Sequence, residues 1–247
     1  MNIAAIIQAR FGSTRLPGKI IRLISGKPIL WHVWNRLTHS KMINDVIIAT
    51  TTNSEDDQIE NFCVENNIHF NRGSAEDVLS RYYETAKKFN VDIIIRITSD
   101  CPVIDPEILD DMINFFKAEN CKYKLDYLSN TLERTFPRGL DVEIFSFEAL
   151  QKTFSEAKEI YEREHVTPYI YMHPECFTLK NFYNDKDYSF HRWTVDTNDD
   201  LELIKEIYIS LYNGNNIFLV KDILKLFDIR PELIKINQTV KQKNLGE

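Results

Sequence analysis

The chain is poor in the residues that usually separate one module from the next. Among its 247 residues only 7 are glycine and 8 are proline, and they are scattered along the sequence. Since no linker, internal repeat or low-complexity tract is visible, we expect one domain that covers residues 1–247. The first apolar run follows no basic leader and is far too short to cross a bilayer. We therefore expect a cytoplasmic protein without membrane insertion.

Cysteine is also scarce, and its spacing is not that of a metal site. The four cysteines are Cys63, Cys101, Cys121 and Cys176. They form no CxxC pair and have no histidine partners at zinc spacing. This pattern argues against a zinc module and predicts free thiols in a reducing cytosol.

Acidic residues are missing from the amino-terminal segment. The net charge of −7 argues against general nucleic-acid binding, yet no Asp or Glu precedes Asp45. The segment instead carries seven cations: Arg10, Arg15, Lys19, Arg22, Lys27, Arg36 and Lys41. The rest of the chain holds 23 basic residues against 37 acidic ones. Such polarity favours a small, highly anionic ligand near the amino terminus, with a solvated basic face as the alternative.

Apolar runs rich in β-branched residues alternate with amphipathic helical segments over most of the chain. The predicted strands are Ile3–Gln8, Asp45–Thr51, 68–70, 92–97 and 193–195. Helices are predicted from Pro28 to Leu37, from a Ser54/Asp57 capping box to Glu65, from Ala75, after Asp105, after an Asn198 or Asp199 cap, and over 218–227. This alternation predicts an α/β fold with a doubly wound, mostly parallel sheet.

The alternation loosens over residues 123–187. Extended pieces near 125–130 and 140–145 flank a Pro-Arg-Gly turn, and helices near 148–157 and 163–171 follow. We interpret residues 123–187 as an inserted α+β region that covers the site as a lid. It is also a candidate dimer surface.

Basic residues and glycines gather in one loop directly after the first predicted strand. The loop, RFGSTRLPGK over residues 10–19, contains three small residues and three cations: Gly12, Ser13, Gly18, Arg10, Arg15 and Lys19. Glycine lets the backbone approach an anion, and the cations can neutralise a triphosphate and its departing pyrophosphate. Open α/β sheets bind ligands at this end of their strands. The loop matches neither GxGxxG nor a P-loop, so it predicts a phosphate loop of another type.

Two acidic residues follow separate predicted strands. Asp100 lies in TSDCP, after the most apolar strand, and Asp196 lies in TVDTNDD, where the sheet pattern resumes. Mg²⁺ takes one or two carboxylates and completes its octahedron with phosphate oxygens and water. Both acids are therefore candidate magnesium ligands. Each could equally be a helix cap or turn former, and the residues alone leave that alternative open.

Six segments in order resemble the SpsF-type, spore coat polysaccharide branch of the cytidylyltransferase superfamily, whose relatives include the acylneuraminate and 3-deoxy-manno-octulosonate (KDO) enzymes. They are QARFGSTRLPGK, RGSAEDVLSRY, RITSDCPVIDP, FPRGLDVEIF, EREHVTPYIY and WTVDTNDDLELI, from Ile3 to about Ile204. The resemblance implies a nucleotide-diphospho-sugar transferase (GT-A-like) fold. It also implies CMP transfer from CTP to an acidic sugar for surface polysaccharide or glycan synthesis, with Mg²⁺ as cofactor and a homodimer as the assembly.

The resemblance also implies roles for individual residues. The nucleotide-binding set is Ala9, Arg10, Gly12, Ser13, Arg15, Lys19, Arg72, Gly73, Ser74, Asp77 and Asp100. The catalytic set is Arg10, Lys19, Asp100 and Asp196, of which the two acids would hold Mg²⁺. Residues 72–77 match a loop expected near the cytosine edge, although Asp77 could simply cap the next helix.

The inserted region is expected to bind the acceptor. The candidate contacts are Asn130, Arg138, Asp141, Glu143, Arg163 and His165. Two alternatives remain for this part of the set. Residues 162–164 could be a surface charge run, and His165 could be a core histidine bonded to backbone. The phosphate loop lacks the extra glycine, lysine and arginine usual in the sialate branch, which leaves the acceptor's identity open.

The expected chemistry is in-line attack of a hydroxyl of a 2-keto-3-deoxy sugar acid, such as a nonulosonate or KDO-like acid, on the α-phosphorus of CTP. One alternative is a nucleotidyltransferase that acts on a sugar or alditol phosphate. A GT-A glycosyltransferase is another, although Asp100 is followed by Cys101 and Pro102 rather than by a DxD pair. A third is a non-catalytic nucleotide-binding protein, which would be expected to lose these acids and cations.

Overall fold

The computed structural model describes residues 1–13 and 15–242. Its strands are β1 Ile3–Gln8, β2 Leu23–Ile24, β3 Lys27–Pro28, β4 Asp45–Thr51, β5 Phe70–Gly73, β6 Ile93–Thr98, β7 Tyr127–Ser129, β8 Glu143–Ser146 and β9 Leu179–Asn181. Its α-helices are α1 Ile29–Leu37, α2 Asp57–Glu65, α3 Val78–Lys88, α4 Pro106–Asn120, α5 Phe147–Glu156, α6 Ile160–His165, α7 Pro168–Met172, α8 Asn198–Leu211 and α9 Val220–Ile229. Short 3-10 helices cover Lys19–Ile21, Ser54–Asp56 and Pro231–Lys235.

The central sheet has the strand order β5-β4-β1-β6-β8-β7-β9. Strands β5, β4, β1 and β6 are parallel to one another. Strand β8 is antiparallel to both β6 and β7, and β9 pairs in parallel with β7. The structure thus confirms the predicted mostly parallel α/β sheet. The carboxyl ends of four strands meet at one edge, which is where such sheets bind ligands.

Helices cover both faces of the sheet, which explains why its central strands are apolar throughout. In β1, Ile3, Ala5 and Ile7 pack on the side of α1, α2 and α4. Ala4 and Ile6 of the same strand pack on the side of α3 and α5. A third cluster joins α8 and α9 to the segment that contains Trp193. Among residues 1–13 and 15–242, no helix combines the length and hydrophobicity of a bilayer-spanning helix.

Residues 123–187 extend the sheet as well as carrying helices. They supply β7, β8 and β9, and α5 to α7 pack on the same face as α3. The predicted helix near 163–171 is in fact two helices, α6 and α7. Val166, which lies between them, has φ 73°, a positive value outside the α-helical region that ends α6. The four cysteines are free, with two buried and two exposed.

Two helix starts and one strand differ from their predictions. Ser54 lies within a 3-10 helix and forms no capping box, so α2 begins at Asp57. Helix α3 begins at Val78 because the Asp77 side chain accepts a hydrogen bond from Ser80 N and caps it there. Strand β5 is Phe70–Gly73 rather than 68–70, since Ile68 N donates to Cys63 O at the end of α2.

The carboxyl-terminal third contains further differences. Residues 193–195 form no strand. Around them lies a single bridge between Arg138 and Arg192, and Val195 N donates to Asp100 O at 2.9 Å. Thr197, not Asn198 or Asp199, caps α8 in a capping box with Asp200. The last α-helix is Val220–Ile229, two residues later than predicted.

Candidate active site

The predicted phosphate loop leaves the carboxyl end of β1 and folds back on itself. Ala9 N donates to Ala49 O at 3.1 Å, and Gly18 N donates to Phe11 O at 3.3 Å. Gly18 has φ 64°, and a Cβ there would lie 3.0 Å from the Phe11 ring. The loop is thus turned by a glycine that tolerates both the left-handed backbone and the close aromatic contact. The predicted contacts Gly12 and Ser13 lie within this turn.

A buried carboxylate that sequence reasoning missed anchors the same loop. Phe11 N donates to Asp56 Oδ1 at 2.6 Å, and the Thr51 hydroxyl donates to Asp56 Oδ2. The Asp56 side chain is fully buried. Because a buried carboxylate needs hydrogen-bond donors, Asp56 ties the loop after β1 firmly to the end of β4.

Lys19 joins the two predicted metal acids. Its Nζ lies 2.7 Å from Asp100 Oδ2 and 2.8 Å from Asp196 Oδ1. Asp100 lies two residues after the end of β6, whereas Asp196 lies on the segment that leads into α8. Three residues more than 80 positions apart therefore meet at the ligand-binding edge of the sheet.

The local charges stabilise this arrangement. Burial opposes the charge of Lys19, but the two carboxylates outweigh it and raise the pKa of the ammonium. Burial also opposes the charge of Asp100. The Lys19 ion pair and the Thr98 hydroxyl, 2.6 Å from Asp100 Oδ1, outweigh it and lower the pKa of Asp100 to about 2. Both groups are therefore charged at neutral pH.

Two arginines hold the other oxygen of Asp196. Asp196 Oδ2 lies 2.9 Å from an Arg15 nitrogen and 2.7 Å from an Arg192 nitrogen. Arg192 also donates from Nε to Asp200 Oδ1 at 2.9 Å, and Asp200 Oδ2 accepts from the backbone N–H of Asp196 at 3.0 Å. Arg192 and Asp200 were not among the site residues predicted from the sequence. Each lies four positions from Asp196, but the three side chains meet only because the chain turns before α8, and the sequence does not show that turn.

The predicted base-contacting residues are held by internal contacts. Arg72 pairs with Glu60 and, at 2.8 Å, with Asp57. Asp77 caps α3 and also accepts two hydrogen bonds from Arg163, at 2.7 and 2.9 Å. The capping alternative for Asp77 is therefore what the structure shows. The carbonyls of Gly73 and Ser74 are engaged as well, since Gly73 O accepts from Thr52 N at 3.0 Å and Ser74 O accepts from Arg81 Nη1 at 2.5 Å.

Most of the predicted acceptor residues are engaged with the protein itself. Asn130 is fully buried and clamps the backbone of Leu140 and Val142. The other pairs are Asp141 with Arg134 at 2.6 and 2.8 Å, Glu143 with Arg96, Tyr127 and Thr167, and Arg163 with Asp77. In the structure, these four side chains therefore bind to other parts of the protein.

Arg138 and His165 are half-buried, as are Asp141 and Arg163 of the same predicted set. Burial is the main reason that the pKa of His165 is lowered, and Arg10 and Arg96 act in the same direction against Glu164 and Glu143. Arg10 itself is exposed. His165 lies at the end of α6, and Arg10 of the phosphate loop is one of the charges that act on it.

The donor set fits a magnesium ion that is shared with phosphate. Within residues 1–13 and 15–242 no group of three His, Cys, Asp or Glu side chains is placed to hold a metal. Asp100 and Asp196 supply two carboxylates that face one point, occupied by the Lys19 nitrogen. Mg²⁺ bound with a nucleotide normally takes one or two carboxylates, and phosphates and water complete its shell.

The fold and this site define a nucleotide-binding α/β transferase, and the comparisons name its family. The family model described as cytidylyltransferase matches residues 4–226, and the chain belongs to that family. The chain is thus a CTP-dependent nucleotidyltransferase. The family resemblance drawn from the six motifs and the predicted fold class are both confirmed.

Three similar proteins place the chain more closely. A solved structure of a cytidylyltransferase from Leptospira borgpetersenii serovar Hardjo-bovis superposes with a TM-score of 0.91 and 38% identity, covering 98% of this chain and 100% of that one. The spore coat polysaccharide biosynthesis protein SpsF of Bacillus subtilis is 33% identical over 84% of this chain and 86% of its own length. The 3-deoxy-manno-octulosonate cytidylyltransferase of Geobacter sulfurreducens is 34% identical over 46% of this chain and 44% of its own.

Proposed function

We propose that the chain transfers CMP from CTP to an acidic sugar, a 2-keto-3-deoxy sugar acid, and releases pyrophosphate for surface polysaccharide synthesis. The observation that carries the proposal is the meeting of Lys19, Asp100 and Asp196 beside a cationic loop at the carboxyl edge of a parallel sheet. The similarity to SpsF supports a role in polysaccharide synthesis, and the similarity to a KDO enzyme supports an acidic acceptor.

The cations of the loop act on the phosphates. Arg10, Arg15 and Lys19 lie on one loop and offer positive charge to the triphosphate before attack and to pyrophosphate as it leaves. Asp56 holds the loop through Phe11 N, so the backbone that carries these side chains needs little reorganisation during the reaction. Loss of one such cation is expected to lower the rate by roughly 10²–10³.

The reaction forms one P–O bond and breaks another. An acceptor hydroxyl oxygen bonds to the α-phosphorus, the bond to the bridging oxygen of the β-phosphate breaks, and the hydroxyl proton leaves to solvent. Mg²⁺ held by Asp100 and Asp196 would supply charge to the phosphate oxygens and lower the pKa of the attacking hydroxyl. Arg192 and Asp200 keep Asp196 in position, and His165 at the end of α6 is a candidate contact for the acceptor.

A pyrophosphate-release screen tests this proposal. Each of the four nucleoside triphosphates is combined with 2-keto-3-deoxy sugar acids, neutral sugars and sugar phosphates, with Mg²⁺ or with EDTA. We expect release with CTP, an acidic acceptor and Mg²⁺, and loss of release in Asp100→Asn and Asp196→Asn. Asp199→Asn is the matched control, because Asp199 is an exposed acid three residues from Asp196.

Other outcomes reject specific parts of the proposal. Release with sugar or alditol phosphates and none with acidic sugars would reject the acceptor class. Release that survives EDTA, or full activity in either carboxylate variant, would reject the metal assignment. Transfer from a preformed nucleotide sugar without pyrophosphate would replace the proposed reaction with glycosyl transfer.

A further inference from the structure

One ammonium occupies the point where the two proposed metal acids meet. Lys19 Nζ contacts Asp100 Oδ2 and Asp196 Oδ1 at 2.7 and 2.8 Å. The three side chains are 13%, 20% and 12% exposed, so water screens this contact poorly. The lysine is therefore a counter-ion shared by both acids.

The remaining oxygens of the two acids are already taken. Asp100 Oδ1 accepts from the Thr98 hydroxyl at 2.6 Å. Asp196 Oδ2 accepts from Arg15 and Arg192 at 2.9 and 2.7 Å. A metal ion bound where the two carboxylates face each other would therefore compete with Lys19 for Asp100 Oδ2 and Asp196 Oδ1. A dication and an ammonium cannot share that point, because their charges repel at contact distance.

The position of Lys19 in the chain allows it to leave. It is the first residue of the 3-10 helix Lys19–Ile21, directly after Gly18 at φ 64°, and its ammonium stands on a flexible four-carbon stem. The stem begins on the phosphate loop itself, so the phosphates of a bound nucleotide offer the ammonium a second set of anionic oxygens.

We propose that Lys19 is exchanged between two partners: it neutralises Asp100 and Asp196 in the free enzyme and moves to the nucleotide phosphates when metal enters. The proposal rests on the metal assignment made above. It makes metal and CTP binding strongly cooperative, since each removes the obstacle to the other. Mg²⁺ alone then binds the free enzyme weakly, and Asp100 Oδ2 and Asp196 Oδ1 face a cation in both states.

Mn²⁺ binding to the nucleotide-free protein, followed by electron paramagnetic resonance, tests the exchange without measuring activity. Removing the ammonium in Lys19→Met should tighten Mn²⁺ binding at least about tenfold, whereas the exposed Lys41→Met control should match the wild type. Adding Asp196→Asn to Lys19→Met should abolish the gain. Equal Mn²⁺ affinity in wild type and Lys19→Met would overturn the proposal.

A second measurement uses the unaltered protein, in case Lys19→Met fails to fold. In protein labelled with ¹⁵N lysine, the ammonium resonance of Lys19 should keep its position on addition of Mg²⁺ alone and shift on addition of Mg²⁺ with an unreactive CTP analogue. A shift with Mg²⁺ alone, or no shift with both, would refute the exchange. If both tests succeed and no pyrophosphate is released from CTP with any acceptor, the proposed reaction fails and the exchange stands.

Discussion

Gly139 allows two backbone segments to touch beside the candidate site. It has φ +100°, and a Cβ placed on it would lie 2.5 Å from Trp193 C and 2.6 Å from Thr194 N. These are backbone atoms, which cannot rotate away. The neighbouring residue Arg138 is hydrogen-bonded to the same segment, since Trp193 N donates to Arg138 O at 2.7 Å. We therefore predict that Gly139→Ala is strongly destabilising.

The magnitude follows from two separate effects. An alanine with positive φ costs roughly 1–2 kcal/mol, of which about 0.4–1 kcal/mol is offset because the unfolded chain also loses freedom. The forced contact adds an overpacking cost of about 1–3 kcal/mol. Gly214 isolates the first effect, since it has the same φ of +100° and, among the described residues, nothing within 4 Å of its Cβ position. Gly214→Ala should therefore cost about 1 kcal/mol and Gly139→Ala about 2–4 kcal/mol.

The substitution should also affect the site itself. Gly139 contacts the backbone at Thr194. Asp196 lies only two residues further along, and its carboxylate is 2.8 Å from Lys19 Nζ. A displacement of that backbone moves the carboxylate, so we expect CMP transfer to fall even where the protein remains folded.

Urea unfolding of both variants and the wild type measures the stability effect, and transfer rates at low temperature measure the effect on the site. We expect the midpoint of Gly139→Ala to fall well below that of Gly214→Ala. Equal losses of stability in the two glycine variants would refute the reasoning, because the close backbone approach would then have no energetic consequence.

Three further predictions concern contacts around the site. Asp56→Asn leaves Phe11 N without its charged acceptor, so the KM for CTP should rise about tenfold with about 1–3 kcal/mol of lost stability; an unchanged KM would contradict the anchoring role. Arg163→Met breaks the pair with Asp77, whose side chains are 26% and 30% exposed, and should cost about 1 kcal/mol. In the Arg163→Met background, Asp77→Asn should lower the free energy of unfolding by less than it does in the wild type. Equal losses in the two backgrounds would refute the coupling. Burial lowers the pKa of His32 from 6.5 to about 4. Between these pH values the imidazole is therefore protonated in the unfolded chain and neutral in the folded one. Stability should therefore fall between pH 6.5 and 4 by up to about 3 kcal/mol, and an unaltered pH slope in His32→Gln would contradict this.

The sheet and the centre of the site were predictable because their signals are local. Strand β1 is a continuous apolar run, as a strand buried on both faces must be. Asp105 and Pro106 mark the start of α4 through capping and a fixed φ, and the structure shows both. Lys19 and Asp100 each follow a parallel strand, and the carboxyl ends of such strands meet at one edge.

The supporting contacts were not predictable, because they depend on tertiary packing. Asp56 was hidden inside a predicted helix, and its role appears only when β4 lies beside β1. Nothing in the sequence distinguishes Arg192 from the other basic residues. Its role depends on the turn before α8, which brings it to Asp196 and Asp200. Residues 193–195 have strand-like composition, yet they run past the end of the sheet and bond to Arg138 and Asp100 instead.

A crystal structure with an unreactive CTP analogue and Mn²⁺ tests the central claim most directly. Anomalous scattering locates the metal independently of the assigned side chains. The account predicts one triphosphate against residues 10–19, with Mn²⁺ bound to Asp100 and Asp196. A triphosphate bound elsewhere, or a metal that contacts neither acid, would contradict it.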